Sequence, residues 1–247
     1  PNGHIGNLYF GKRLSQQDSY LHLLEGRHRA MTSYVYEDDE NFSLQHTRQE
    51  YACYGTGDFS LPAFEIKQAD GSLLSNFVFE DYRIFSGKPT LEGLPATYVE
   101  KESEATSLEI QLIDKVSETR LFLLYTIYEN LAAVTRSARF EQLGQQEIRL
   151  TRALSLTLDL PDKHYDWLHL DGAWSRERHL VRTPLSQGCQ SVYSLKGASS
   201  SEHNPFLALL RPHADEHQGE VLGFSLVYSG NFLAQIDVTP YQQTRVS

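Results

Sequence analysis

The sequence predicts an all-β protein, built as a large antiparallel β-sandwich with long loops. Three observations predict this class: apolar and polar residues alternate over most of the chain, turn-forming residues separate the alternating segments, and helical periodicity is scarce. The chain has 247 residues, 40% of them hydrophobic, which is enough for a substantial core. Sandwiches often run to about 200–250 residues as one domain, and no linker or repeat divides this chain, so we expect a single domain over residues 1–247.

Three early segments show the alternation most clearly. Phe64–Lys67, Phe77–Phe85 and Leu108–Leu112 place apolar side chains on one face and polar side chains on the other, as a half-buried strand does. Ala69–Ser72 and Ser86–Pro89 lie between them and carry the Gly and Pro residues that favour turns. These segments are predicted to be strands.

The central region continues the same pattern. Thr119–Glu129, Val134–Gln142 and Ile148–Leu158 are rich in β-branched and aromatic residues and are separated by short polar connections. Consecutive strands with short connections usually pair with each other. We therefore predict a β meander.

Strands are predicted to continue to the end of the chain. Phe206–Leu210, Gly223–Tyr228 and Phe232–Val238 have strand composition, and Ser229–Asn231 is predicted to be a tight hairpin turn between the last two. The best helical candidate is Asp18–Leu24, which is short. We expect at most one or two short helical turns.

Composition excludes several function classes. A formal charge of −10 without a basic stripe argues against nucleic-acid binding, and no apolar run approaches the roughly 20 residues of a membrane span. Cys53 and Cys189 have no CxxC spacing, so we expect free thiols in a reducing compartment, the cytoplasm. Pro1–His4 is not the start of a secretory signal, and Thr244–Ser247 resembles an interrupted strand, so both ends are expected to be cut from a longer chain.

Most catalytic and metal-binding patterns are missing. No G-x-S-x-G motif is present, and Gly55–Gly57 is followed by strand-like sequence rather than by a helix. His164 and His169 are five residues apart, and His213 and His217 are expected in a loop, so no metal site is predicted and no cofactor is expected.

The segment His169–His179 is the most suggestive for function. It places Trp174 beside Gly and Ala, with Arg176 and Arg178 flanking Glu177, in a stretch with little strand alternation. A tryptophan ring can stack on the apolar face of a pyranose while its N–H donates a hydrogen bond, which favours a sugar platform. The alternative is a Trp buried in the sandwich or at a subunit interface, with the arginines in structural ion pairs.

Two other polar segments are predicted to be loops. The acidic run Glu37–Glu40 is expected to be a solvated loop, because like charges repel each other when packed together. Gly197–Phe206 is rich in Ser, Asn and Pro, which favour turns and usually bond to nearby main chain.

Several motifs, taken in order, resemble one protein family. They closely resemble the N-terminal region of bacterial α-galactosidases of glycoside hydrolase family thirty-six, over almost the whole chain. The motifs are Asn7–Lys12, Gln49–Tyr51, Tyr54–Phe59, Gly87–Pro89, Gly93–Glu100, Thr135–Phe140, Gly172–Arg178 and Tyr228–Gln235.

The resemblance implies an architecture and an activity for the parent protein. A β-supersandwich precedes a catalytic (β/α)₈ barrel and a C-terminal β domain, both beyond Ser247, and the enzymes are commonly homotetramers. The implied reaction releases terminal α-1,6-galactose from melibiose, raffinose and stachyose with retention of configuration. Both catalytic aspartates belong to the barrel, so no catalytic residue is expected in this chain.

The resemblance also implies which residues approach the substrate. Trp174 matches a loop that borders the galactose pocket of a neighbouring subunit. A second loop, residues 29–39, also approaches that pocket, and Asp38 is the acid chosen there to accept sugar hydroxyls. His28 departs from relatives that carry an aspartate at its place. A stand-alone carbohydrate-binding module and a purely structural assembly domain are the alternatives.

Overall fold

The computed structural model describes residues 2–24, 36, 39 and 42–247. The chain divides into two compact units, which are considered separately below. Unit 1 contains residues 1–89 and 98–160, and unit 2 contains residues 90–97 and 161–247. The single-domain prediction for residues 1–247 stays a prediction.

The described residues are almost entirely β-structure and loops, which confirms the predicted fold class. In unit 1 the strands are β1 Phe64–Lys67, β2 Val78–Ser86, β3 Ala105–Asp114, β4 Thr119–Tyr128, β5 Val134–Gln142, β6 Arg149–Ala153 and β7 Leu158–Leu160. In unit 2 they are β8 Asp166–Ala173, β9 Arg176–Pro184, β10 Gly188–Ser194, β11 His203–Leu210, β12 Val221–Ser225, β13 Phe232–Val238 and β14 Thr244–Val246.

Helical structure among the described residues is limited to three single 3₁₀ turns, one more than the one or two expected. They are Leu21–Leu23, inside the predicted Asp18–Leu24 segment, Leu44–His46 and Glu102–Glu104. Within the described part of the chain, no helix has the length and apolar character needed to cross a membrane.

Unit 1 contains the predicted meander, with one correction. Strands β2, β3, β4 and β5 pair in sequence order and all antiparallel. The predicted third strand, Ile148–Leu158, does not extend this sheet: it is split into β6 and β7, and β6 pairs with β1. The Leu154 amide donates to the Ala63 carbonyl, which continues the pairing of β6 with β1 by one residue. The Leu154 carbonyl instead accepts the Tyr51 hydroxyl, a side-chain partner outside that pairing.

The core of unit 1 is centred on Phe64. This side chain is fully buried and lies 5.2 Å, ring centre to ring centre, from both Tyr51 and Phe77, and 5.1 Å from Phe140. Burial of this kind also raises the pKa of the nearby Cys53 thiol to about 12. Cys53 is therefore a neutral, buried part of the core, as expected of a free thiol.

Truncation of this central ring tests the core. We expect Phe64→Ala to lower the free energy of unfolding by about 3–5 kcal/mol, because it removes apolar burial and leaves a cavity among three rings. Urea denaturation measures the change. The control is Phe59→Ala, whose ring is 62% exposed, and which should change the unfolding free energy by less than about 0.5 kcal/mol. Equal effects of the two variants would contradict this assignment of the core.

Unit 2 contains two antiparallel sheets, and their pairing corrects a second prediction. One sheet has the order β12-β11-β8-β9, and β13 pairs with β10 and β14 in the other. The predicted hairpin turn Ser229–Asn231 was wrong, because it connects strands of two different sheets. Its polar groups bond elsewhere: the Ser229 carbonyl accepts from the Ser199 amide at 2.7 Å, and the Asn231 side chain accepts from the Gly197 amide at 2.6 Å.

Candidate functional site

The segment that contains Trp174 is a β-hairpin. Strands β8 and β9 pair in register from Asp166↔Pro184 to Asp171↔His179, and the connection is the dipeptide Trp174-Ser175. The register shifts between Asp171 and Ala173, which marks a bulge just below the tip. The low strand alternation of His169–His179 in the sequence therefore belongs to two strands that a bulge and a tight turn interrupt.

Close backbone packing fixes the tip of this hairpin. A Cβ atom on Gly172 would lie 2.6 Å from the Arg176 carbonyl oxygen and 2.9 Å from that of Ser201, so only glycine fits. The Gly172 amide donates to the Glu202 carbonyl at 2.9 Å, which ties the hairpin to the start of β11. Ser175 has a φ of 64° at the turn, and its amide donates to the Glu177 carboxylate at 3.1 Å. The tip is therefore held by its own polar groups.

Trp174 projects from this tip into solvent. Its side chain is 86% exposed, so the alternative of a tryptophan buried in the sandwich is wrong within this chain. Arg176, Glu177 and Arg178 are also exposed, and no described acidic side chain forms an ion pair with either arginine. An aromatic face beside guanidinium donors suits a ligand with an apolar ring face and hydroxyl groups.

Two histidines and an aspartate lie together at the base of the hairpin, and we call His169, Asp171 and His203 the His–Asp–His cluster. The Nδ1 atoms of His169 and His203 lie 2.6 Å and 2.9 Å from the same Asp171 Oδ1. The Trp167 ring packs against His169 with ring centres 4.2 Å apart. Among the described residues, this cluster is a set of donors close enough together to hold a metal ion.

Only part of this cluster was a candidate from the sequence. His169 was considered with His164, and His213 with His217, whereas the structure brings His169 to Asp171 and His203. The signal that was present is the spacing His169-x-Asp171, which places both side chains on one face when the segment is a strand. His203 has no such local signal, because it lies in another strand.

The other predicted site residues lie elsewhere. Asp38, the acid chosen in the 29–39 loop, and His28 are outside the residues that the structure describes. Gly197–Phe206 is a loop only as far as Glu202, because β11 begins at His203 and includes Phe206.

Unit 1 has an open depression of about 290 Å³, and the carboxylate of Glu50 in its wall is already paired within the chain. Glu50 lies in its wall, where one carboxylate oxygen accepts from Tyr125 at 2.7 Å and Arg136 at 3.0 Å, and the other accepts from Asn7 at 3.1 Å. Burial raises the pKa of the Tyr125 phenol, which keeps it a neutral donor. This network stabilises unit 1, and the exposed hairpin of unit 2 is the stronger candidate for ligand contact.

Comparison with known proteins identifies the family. Residues 3–247 match the sequence profile of the glycosyl hydrolase family 36 N-terminal domain. The chain belongs to this family. This family 36 domain is similar to several curated relatives. It is 46% identical to α-galactosidase AgaA of Geobacillus stearothermophilus, over 100% of the chain and 34% of that protein. It is 34% identical to α-galactosidase Mel36A of Lactobacillus acidophilus, over 99% of the chain and 34% of that protein.

Solved structures show the same fold. The family 36 domain superposes with a TM-score of 0.96 on a variant of AgaA in complex with raffinose, at 46% identity, covering 100% of this chain and 34% of that one. It superposes equally well, at 0.96 and 40% identity, on the α-galactosidase of Lactobacillus brevis, covering 99% of this chain and 33% of that one. The family 36 domain thus spans about a third of the length of its relatives.

Substitution of Gly172 tests the tip geometry. We expect Gly172→Ala to lower the free energy of unfolding by about 1–3 kcal/mol and to reduce amide protection in β8 and β9, because the added Cβ meets backbone atoms that cannot move alone. Hydrogen exchange and thermal unfolding measure the two effects. Gly223→Ala, in β12 of the same sheet, is the matched control, since its nearest neighbour would be 3.7 Å away. Equal protection in the two variants would contradict the close packing.

Proposed function

We propose that this chain is the non-catalytic N-terminal domain of a bacterial α-galactosidase. The parent enzyme would hydrolyse terminal α-1,6-galactosyl residues of melibiose, raffinose and stachyose by a retaining mechanism, with both catalytic aspartates on a barrel outside this chain. The observation that carries the proposal is the match over the entire chain, at 46% identity and a TM-score of 0.96, to an α-galactosidase solved with raffinose.

The hairpin tip gives the domain its part in substrate binding. An exposed Trp174 on a fixed turn can cover one face of a galactosyl ring, and Arg176 and Arg178 can donate to its hydroxyls. A tip that projects into solvent fits a contact with a neighbouring subunit, so we propose that it borders that subunit's active site in a homotetramer. Asp38 is proposed as a second contact from the other loop.

The proposed location is the cytoplasm. Cys53 is buried and Cys189 is exposed, and the two do not form a disulfide, which fits a reducing compartment. Bacterial relatives such as AgaA and Mel36A support a bacterial source for the parent enzyme.

Activity measurements test the proposal that the catalytic groups lie outside this chain. We expect the full-length enzyme to hydrolyse p-nitrophenyl α-galactoside and to give first the α-anomer of galactose by NMR, because retention requires two displacements. The 247-residue chain alone should give no turnover, since the proposed catalytic groups lie outside it. Turnover by the isolated chain, or a β-anomer from the enzyme, would contradict the proposal.

Removal of the tryptophan tests the sugar contact. Covering one face of the ring, about 75 Å² at about 25 cal/mol per Å², contributes roughly 2 kcal/mol. We therefore expect Trp174→Ala in the full-length enzyme to lower kcat/KM for raffinose about ten- to thirtyfold, mainly through KM, whereas Trp174→Phe keeps much of the contact. The matched control is Leu180→Ala in β9, which is 65% exposed and away from the tip.

Trp174→Ala also distinguishes the proposed role from a stand-alone binding module and from a purely structural assembly domain. A stand-alone binding module predicts saturable raffinose binding by the isolated chain, lost in Trp174→Ala. A purely structural assembly domain predicts no change in KM but a smaller assembly by light scattering when the tip is altered. An increase in KM with the tetramer intact supports the proposed role.

A further inference from the structure

The His–Asp–His cluster offers the donor atoms of a metal site, and strand pairing places them. His169 and Asp171 are two residues apart in β8, so their side chains lie on the same face of the sheet. His203 lies directly opposite Asp171 in the pairing of β8 with β11. The ligand atoms of the three residues lie within 4.8 Å of one another. Paired strands, rather than a loop, therefore bring them together, although the register of β8 with β11 shifts between His203 and Leu207.

We propose that the cluster binds a divalent transition-metal ion, Zn²⁺ first among the biologically common ions. Two imidazole nitrogens and one carboxylate oxygen are donors that zinc takes readily, and hard cations such as Mg²⁺ prefer sites made of oxygen atoms alone. Three protein ligands leave one position of a tetrahedron for water. The site is independent of the proposed sugar contact and is assigned from this chain's own residues.

The present geometry needs only a small adjustment to accept the ion. Tetrahedral coordination with bonds of about 2.0–2.1 Å separates the donors by roughly 3.3 Å. The Nδ1 to Oδ1 distances are now 2.6 Å and 2.9 Å, because one carboxylate oxygen accepts a hydrogen bond from each ring. The carboxylate must move by roughly half an ångström, and each coordinating nitrogen must present its lone pair instead of a proton.

Burial shows which ligands can make this adjustment. The His169 side chain is only 8% exposed and is fixed by the Trp167 ring, so it provides the rigid part of the site. The side chains of Asp171 and His203 are 36% and 29% exposed, which leaves them room to move and gives the ion a path from solvent. A formal charge of −10 on the whole chain also favours cation capture.

A bound ion would cross-link two strands beside the hairpin tip. His169 and Asp171 belong to β8 and His203 to β11, and Gly172 follows Asp171 directly. The ion would therefore stabilise the same contact that the Gly172 amide makes with the Glu202 carbonyl. We expect zinc to raise the melting temperature of the chain by several degrees at saturation, because binding to the folded state alone stabilises it.

Calorimetric titration of Zn²⁺ into the chain, prepared without a histidine tag and freed of metal with EDTA, tests the proposal. We expect saturable binding with one ion per chain, weakened about a hundredfold in His203→Gln, since loss of even an outer partner of a metal ligand costs about 10–100-fold. His213→Gln is the matched control, an exposed histidine in a turn of the same unit, and should bind zinc like the wild type. Absence of saturable binding, or equal affinity in all three proteins, would overturn the proposal.

A spectroscopic measurement locates the ion beside Trp167. The chain has two tryptophans, so Trp174→Phe leaves Trp167, which packs on His169, as the only one. We expect Co²⁺ to quench its emission and Zn²⁺ to reverse the quenching, because zinc binds such donors more tightly than cobalt, whereas Mg²⁺ does neither. Asp171→Asn should need at least tenfold more Co²⁺ for the same quenching, with circular dichroism in EDTA as the check of folding. Quenching that Mg²⁺ reverses, or that Asp171→Asn leaves unchanged, would count against the site.

Discussion

The pairing of β8 on both of its edges is the constraint on which the candidate site depends. One edge bonds to β9 and forms the hairpin, and the other bonds to β11. Because the strand has no free edge, the position of Trp174 is set by the sheet and not by a loop. Loops hold functional groups less accurately than strands do, since each additional soft dihedral adds freedom. The paired strands therefore fix where the backbone presents the exposed ring of Trp174.

The two units use buried polar groups in different ways. In unit 1, Glu50 shares its oxygens among Arg136, Tyr125 and Asn7, so both oxygens of this carboxylate are used within the chain. In unit 2, the Asp171 carboxylate places one oxygen between two imidazoles and remains over a third exposed. A fully paired network favours a single structure, whereas a partly exposed one can exchange its partners for a ligand. Only the second arrangement is suited to binding.

The sequence predicts unit 1 better than unit 2, and the reason is physical. In unit 1, β1 and β5 occur at the predicted residues, and in unit 2 β13 does. In β1 the alternation matches the burial, because Phe64 and Ile66 are fully buried and Lys67 is exposed. Strands β8 and β9 were missed because a bulge shifts the pairing below the tip. The left-handed turn there is formed by Ser175 rather than by Gly or Asn, so the usual turn signal is absent. β14 occupies Thr244–Val246, inside the Thr244–Ser247 segment whose sequence resembles a strand.

Within the candidate site, the exposed Trp174 could be predicted from the sequence, whereas the contact between His203 and Asp171 could not. Trp174 could be chosen because Gly, Ala and arginines around one tryptophan suggest a surface aromatic, and the resemblance pointed to the same residue. His203 could not be chosen, because its contact with Asp171 joins residues 32 positions apart and depends on which strands are neighbours. Sheet order is a long-range property, and the wrong hairpin predicted at Ser229–Asn231 shows how local turn chemistry can mislead about it. Side chains brought together across strands in this way become visible only when the pairing of the strands is known.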